Sequence, residues 1–165
     1  MFIIIACAVL ALDQVSKWII RAYLQASDSI PLIEGVLHLT HVRNPGAAFG
    51  LMPGARPLFI ATFLIVIVGA IVYWIKVRPN TRWVVISMAL FTSGALGNFI
   101  DRLWLGKVTD FIDFTVIDWP IFNFADVGIV TGIAMLLFWI LTEPAEMPIP
   151  KPSSLEGHGG SDEPG

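Results

Sequence analysis

Charge is scarce in this 165-residue chain. Asp, Glu, Lys and Arg make up 14% of it, where a soluble domain carries about 25%. That deficit excludes an ordinary water-solvated surface and points to a membrane protein built as one compact domain. A net charge of −3 leaves no basic surface for nucleic acid. The single cysteine, Cys7, excludes an internal disulfide and a Cys-based zinc cluster. Set in an apolar run, it reads as a buried, inert thiol. No HExxH is present, so zinc-protease chemistry has no anchor. No GxSxG or Ser–His pairing stands out for a serine nucleophile. The N-terminal MFIIIACAVLALDQ lacks a basic leader and a small-x-small cleavage site. It reads as a retained first membrane helix and not as a removed signal. No internal repeat is visible.

What fills the chain is hydrophobic sequence, 56% of it. Four apolar blocks, about 1–20, 57–75, 83–100 and 122–141, each approach the roughly 20 residues that cross about 30 Å of hydrocarbon. Helices are expected, because a spanning segment must satisfy its own backbone polar groups. The first block carries Asp13 and Lys17, the second has no charge, and the third ends in small residues and Asn98. The fourth carries Asp126 near its start. Between the first two blocks, IEGVLHLTHVRN is β-branched and partly alternating, which predicts one or two surface strands within about 30–50. Residues 101–121 read as a polar and aromatic connector with four aspartates: Asp101, Asp110, Asp113 and Asp118. Residues 143–165 are rich in Pro, Gly, Ser and Glu and are predicted to be disordered.

An even number of spans puts both termini on one side. The short turn KVRPNTR, residues 76–82, holds three Lys/Arg and marks that side as cytoplasmic. A raw count of basic residues along the whole chain favours the other side, but short loops weigh more.

Ionisable groups inside a membrane invite a functional reading. Asp13 and Lys17 share a helix face and read as a structural ion pair. RNPGAAFG, residues 43–50, reads either as a tight corner or as a groove. There Gly46, Ala47 and Ala48 let a peptide approach and Asn44 bonds its backbone. In GALGNFIDR, residues 94–102, the small residues allow close packing. Asn98, Asp101 and Arg102 lie at i, i+3 and i+4. Arg102 is placed to brace a carboxylate or a lipid phosphate, with Asp101 to neutralise it; an interfacial salt bridge is the plainer alternative.

Asp110 and Asp126 flank apolar patches at one membrane boundary, and Asn123, three residues before Asp126, is expected on the same helix face. If Asp110 folds back, the two carboxyls share a proton, since neighbouring like charges resist double ionisation. The ionised one takes a proton from water and the protonated one polarises a carbonyl. The simpler reading is a helix cap at Asp126 and a solvated Asp110. Asp113 and Asp118, without an Asn partner, read as solvated. His38 and His41 lack a third ligand, so no metal site is expected.

DQVSK at 13–17, RNPGAAFG at 43–50, GNFIDR at 97–102, KVTDF at 107–111 and FNFAD at 122–126 occur in the order found in lipoprotein signal peptidases, also called signal peptidase II. The chain resembles that family over roughly residues 10–140. The resemblance implies a mainly α membrane protein, a four-transmembrane-helix bundle with a small periplasmic β-sheet cradle and a covering periplasmic helix. It implies an aspartic endopeptidase of the bacterial inner membrane, multi-pass, with its active site toward the periplasm. Such an enzyme cleaves a lipid-modified prolipoprotein before its diacylglyceryl cysteine. Asp110 and Asp126 match the catalytic pair. Asn44, Asn98, Arg102 and Asn123 match binding residues, with Gly46 and Ala47 in the same corner. Asp13 and Lys17 match a structural pair. No cofactor or metal is implied; the partners are the substrate and membrane lipids, and the chain is expected to act as a monomer. A small proton-coupled transporter is the rival, and a purely structural membrane subunit a third reading.

Overall fold

The computed structural model describes residues 1–46, 56–77, 81–117 and 119–142. Ala47, Asp118 and the tail 143–165 lie outside them. The chain runs α1 (Phe2–Tyr23), β1 (Ser29–Ile33), β2 (Leu37–Asn44), α2 (Arg56–Val77), α3 (Arg82–Trp104), β3 (Val108–Asp113), a 3-10 turn (Thr115–Ile117) and α4 (Phe124–Thr142). All four apolar blocks are helical, each with ends shifted by a few residues.

By length and composition, α1, α3 and α4 are apolar enough to cross a membrane, with mean hydropathies of 1.9, 1.6 and 2.1. Within α2 the apolar stretch Ile60–Lys76 is shorter. Polarity is distributed the opposite way from a soluble bundle. Ile3 and Ile4 are each 74% exposed and Leu141 83%, while Asp13, Lys17, Ser87, Ser93, Asn98 and Asp101 are buried. Only an apolar solvent makes that arrangement favourable, because it leaves the outer surface no polar groups to desolvate. Cys7 follows the same rule. It is exposed on α1, contrary to the buried site expected from its apolar run; a thiol behaves as a small hydrophobe and suits a lipid-facing position.

α3 is the central helix, and small residues make it so. Gly132 of α4 sits where a Cβ would lie 2.6 Å from the Ser87 carbonyl, so the two backbones touch as small-residue interfaces in membranes do. Trp83 Nε1 donates to the Met135 carbonyl at 2.8 Å, tying the same two helices one turn further along.

The strands form one antiparallel sheet in the order β1-β2-β3. β1 and β2 are joined by a turn at Gly35, whose φ of +71° suits a residue without a Cβ. β3 falls in the segment expected to be a connector. Its burial hides it from periodicity, since Val108, Thr109, Asp110 and Phe111 are all buried and show no alternation of inside and outside. Leu39 pairs with Ile112 and Val42 with Asp110, so two residues of β2 oppose one of β3. That bulge includes His41, whose Nδ1 lies 2.8 Å from the Leu24 carbonyl. On the other edge of β3 the chain returns through Phe122. Its carbonyl accepts from the Phe111 and Ile112 N–H groups at 3.0 and 2.8 Å. Ile20, Leu24 and Phe111 form the core beneath the sheet, with Phe124 against it. β3 is thus pinned on both edges and from below.

Candidate active site

The site begins on α1. Asp13 and Lys17 are one helical turn apart on the buried face, and both are fully buried. The Lys17 ammonium meets Asp13 Oδ2 at 3.0 Å, Asp101 Oδ2 at 3.5 Å and Asn98 Oδ1 at 3.0 Å. Three partners match its three donors. Each acid also anchors backbone. Asp13 Oδ1 accepts the Ala125 N–H at 2.9 Å, at the start of α4. Asp101 Oδ2 accepts the Thr109 N–H at 2.9 Å, in β3 beside Asp110. Gln14 Nε2 donates to Asp13 Oδ2 at 3.0 Å and to the Gly97 carbonyl at 3.1 Å. Gly97 has no room for a side chain, since a Cβ there would run into the Asp13 carboxylate.

Asn98 carries the hub upward. Its Oδ1 faces Lys17, which turns its Nδ2 toward Asp126 Oδ1 at 2.7 Å. Asn123 is not on the α4 face, as its spacing suggested, but precedes the helix as its N-cap. Its Oδ1 accepts the Asp126 N–H at 3.0 Å, and Asp126 Oδ2 accepts the Asn123 N–H at 3.1 Å. This reciprocal pair is a capping box. The helix-cap reading of Asp126 therefore holds together with its place in the cluster: one oxygen caps and the other faces Asn98. The Asn123 Nδ2 is left to reach Asp110 Oδ1 at 2.6 Å and Asn98 Oδ1 at 3.2 Å.

Asn44 completes the cage. It pairs with Val108 across the sheet, so Asp110 is its diagonal neighbour on the same face. Its Nδ2 donates to Asp110 Oδ2 at 2.9 Å, and its Oδ1 accepts the Gly46 N–H at 2.9 Å. Sequence suggested that Asn44 bonds a peptide backbone and that Asn98 is a binding residue; here both amides face carboxylates. Asp110 lies outside the spanning helices. Burial pushes its carboxyl up to about 6; the Asn44 hydrogen bond opposes this, and the Asp126 charge adds to it.

Arg102 Nη1 donates to the Asn98 carbonyl at 3.2 Å, and Nη2 approaches the Gly46 carbonyl at 3.5 Å. The guanidinium joins α3 to the corner at Gly46 and lies in the field of Asp126, Asp110 and Asp101. Asp101 was expected to neutralise it directly. Adjacent helical residues point to different faces, and the structure turns Asp101 to Lys17, to Thr109 and to Arg21 Nη1 at 3.5 Å. Asp113 is not simply solvated: half-buried, it accepts from Thr40 Oγ1 at 2.6 Å. His38 and His41 are engaged separately, His38 Nδ1 lying 3.3 Å from Ser29 Oγ. No group of three metal-ligating side chains occurs among the described residues. Gln14 and Thr109, which lie inside the DQVSK and KVTDF segments, and Arg21 join the network although sequence assigned them no role.

Residues 5–142 match the family profile described as signal peptidase (SPase) II. The chain is 43% identical over 136 residues to a lipoprotein signal peptidase of Brevibacillus brevis, covering 82% of this chain and 91% of that one. It is 45% identical over 141 residues to the lipoprotein signal peptidase of Pelotomaculum thermopropionicum, covering 86% and 90%. Among solved structures, a bacterial membrane enzyme determined by the in meso method superposes with a TM-score of 0.82 at 34% identity, covering 88% of this chain and 93% of that one. The agreement of sequence and fold means that this chain belongs to the signal peptidase II family.

Proposed function

We propose that the protein is an aspartic endopeptidase that removes signal peptides from prolipoproteins, cleaving before the diacylglyceryl-modified cysteine. The observation that carries this reading is the amide chain Asn98–Asn123, which joins the Asp126 carboxylate to that of Asp110. Two acids from distant segments, bridged by neutral donors at one end of an apolar bundle, suit a shared proton. Like charges in such proximity favour one ionised and one protonated carboxyl. The ionised member takes a proton from water as the water oxygen attacks the scissile carbonyl carbon. The protonated member gives its proton to the carbonyl oxygen. Collapse of the tetrahedral intermediate then breaks the C–N bond, and the leaving amine receives a proton from the dyad. Asn44, Asn98 and Asn123 orient the carboxylates through the bonds described above.

Arg102 steadies the corner at Gly46, where an extended substrate enters beside the sheet. The lipid tails stay in hydrocarbon and localise the substrate without a deep pocket. The protein sits in the bacterial inner membrane with four spans, α2 included, and with this site on the periplasmic side. Both acids come from one chain, so a monomer suffices. A proton-coupled transporter has less support, because its polar groups must line the depth of the bilayer, whereas here they gather at one end.

The test is incubation of purified protein with a diacylglyceryl-modified precursor. Mass spectrometry should find two fragments, the second beginning at the lipidated cysteine. An intact precursor, under conditions where a known signal peptidase II cleaves it, rejects the reading.

A further inference from the structure

A second feature lies at the opposite end of the bundle. The start of α1, the last turns of α2 and the first half of α3 enclose a groove of about 720 Å³, within the roughly 300–1,000 Å³ typical of ligand sites. Phe2, Ile71, Trp74, Val85 and Met88 line it, and Arg82 stands among them. The Phe2 and Trp74 rings meet at 5.2 Å and close one side. Arg82 precedes Asn98 on α3 by 16 residues, about 24 Å of helix, so this groove is separate from the carboxylates.

Among the described residues, the charge at this end is of one sign. Residues 76–82 carry Lys76, Arg78 and Arg82, and the sequence has no Asp or Glu between Glu34 and Asp101. The described residues of α1 and α4 at this end, 1–12 and 131–142, add none. An apolar slot between helices with cations at its mouth fits an amphiphile with an anionic head, as basic pockets between membrane helices do. We propose that the groove binds an anionic phospholipid. Its acyl chain lies between α1, α2 and α3, and its phosphate meets Arg82, with Lys76 beside it in the field.

Charge selects this occupant over its competitors. The leading segment of a signal peptide is cationic and is repelled by Arg82. A second copy of the chain presents no acid from the described residues at this end. The polar tail 143–165 has acids but not the apolar surface the walls require.

The experiment titrates the purified full-length protein in neutral detergent with dioleoyl phosphatidylglycerol or dioleoyl phosphatidylcholine. Native mass spectrometry counts the lipid retained. Wild type should retain the anionic lipid at least about tenfold better, given the charges of Arg82 and Lys76. Arg82→Gln should cut that preference by about fivefold, the share of one guanidinium, and Arg82→Lys should restore most of it. Ala70→Trp, which fills the groove from a lining position, should abolish retention while thermal unfolding stays within a few degrees. Equal retention of the two lipids overturns the proposal, as does a preference that neither Arg82→Gln nor Ala70→Trp alters. Displacement of bound lipid by a synthetic signal peptide also overturns it and gives the groove to the substrate helix.

Discussion

Four aspartates gather where α1, α3, α4 and β3 meet, and they form two unlike pairs. Asp13 and Asp101 face the fully buried ammonium of Lys17. Asp110 and Asp126 face side-chain amides: Asn44 and Asn123 for the first, Asn98 for the second. The difference is chemical. A buried cation compensates a carboxylate and makes the pair costly to break. An amide donates a hydrogen bond but brings no charge, so the acid it holds can still gain or lose a proton. The lower pair is held by a buried cation, and the upper pair by neutral donors. The lower pair also reaches the upper pair directly, through Thr109 N–H beside Asp110 and Ala125 N–H beside Asp126.

The sharpest way to break this comparison is to neutralise the upper pair. Asp110→Asn and Asp126→Asn should each lower the cleavage rate by about 10³-fold or more, the scale of lost acid–base catalysis. Both variants should still insert, and neither should melt below wild type at pH 7. An active Asp126→Asn enzyme removes the dyad.

Lys17→Met tests the lower pair. It strands two buried carboxylates and should cost about 3–5 kcal/mol of stability, read as a large drop in melting temperature in detergent. Activity should fall with it. If Lys17→Met melts like wild type, the frame does not depend on the ion pairs.

A third measurement separates the pairs by pH. The Asp110 carboxyl is raised from 3.8 to about 6 by burial, so the folded protein holds a proton there that the unfolded chain releases. Stability from this group is full below about pH 4 and declines as pH rises to about 6, by at most about 3 kcal/mol. Asp110→Asn removes that slope. Melting curves of wild type and variant should therefore diverge between pH 4 and 7, with the variant favoured at pH 7. Parallel curves contradict the buried, amide-held carboxyl. The smallest effect is expected at Asp113, which has one bond to Thr40. Asp113→Asn should cost under about 1 kcal/mol and keep cleavage within about twofold. A dead Asp113→Asn beside a live Asp110→Asn exchanges their roles.

Much of the frame was legible along the chain. Apolar blocks of spanning length marked α1, α2, α3 and α4, and the spacing of Asp13 and Lys17 announced their contact. The RNPGAAFG, GNFIDR, KVTDF and FNFAD segments led to Asn44, Asn98, Asp110, Asn123 and Asp126, which the fold brings together. β3 was missed because burial on both faces erases the period-two pattern. The solvated reading of Asp113 missed Thr40, a partner 73 residues away. Asp101 was assigned to its neighbour Arg102, although helix geometry sends adjacent side chains apart.

The sequence by itself determined the solvent and the local geometry. Runs as long and apolar as α1, α3 and α4 suit hydrocarbon, and the one-turn spacing of Asp13 and Lys17 fixes their shared face. Only the tertiary structure decided which acid meets which partner. Asp110 and Asp126 are 16 residues apart, and Asp13 and Asp101 are 88 apart. Their different electrostatics come from water excluded and donors supplied by other segments. Burial and hydrogen bonding set the proton affinity of a carboxyl, and neither exists until α1, α3, α4 and the sheet have packed.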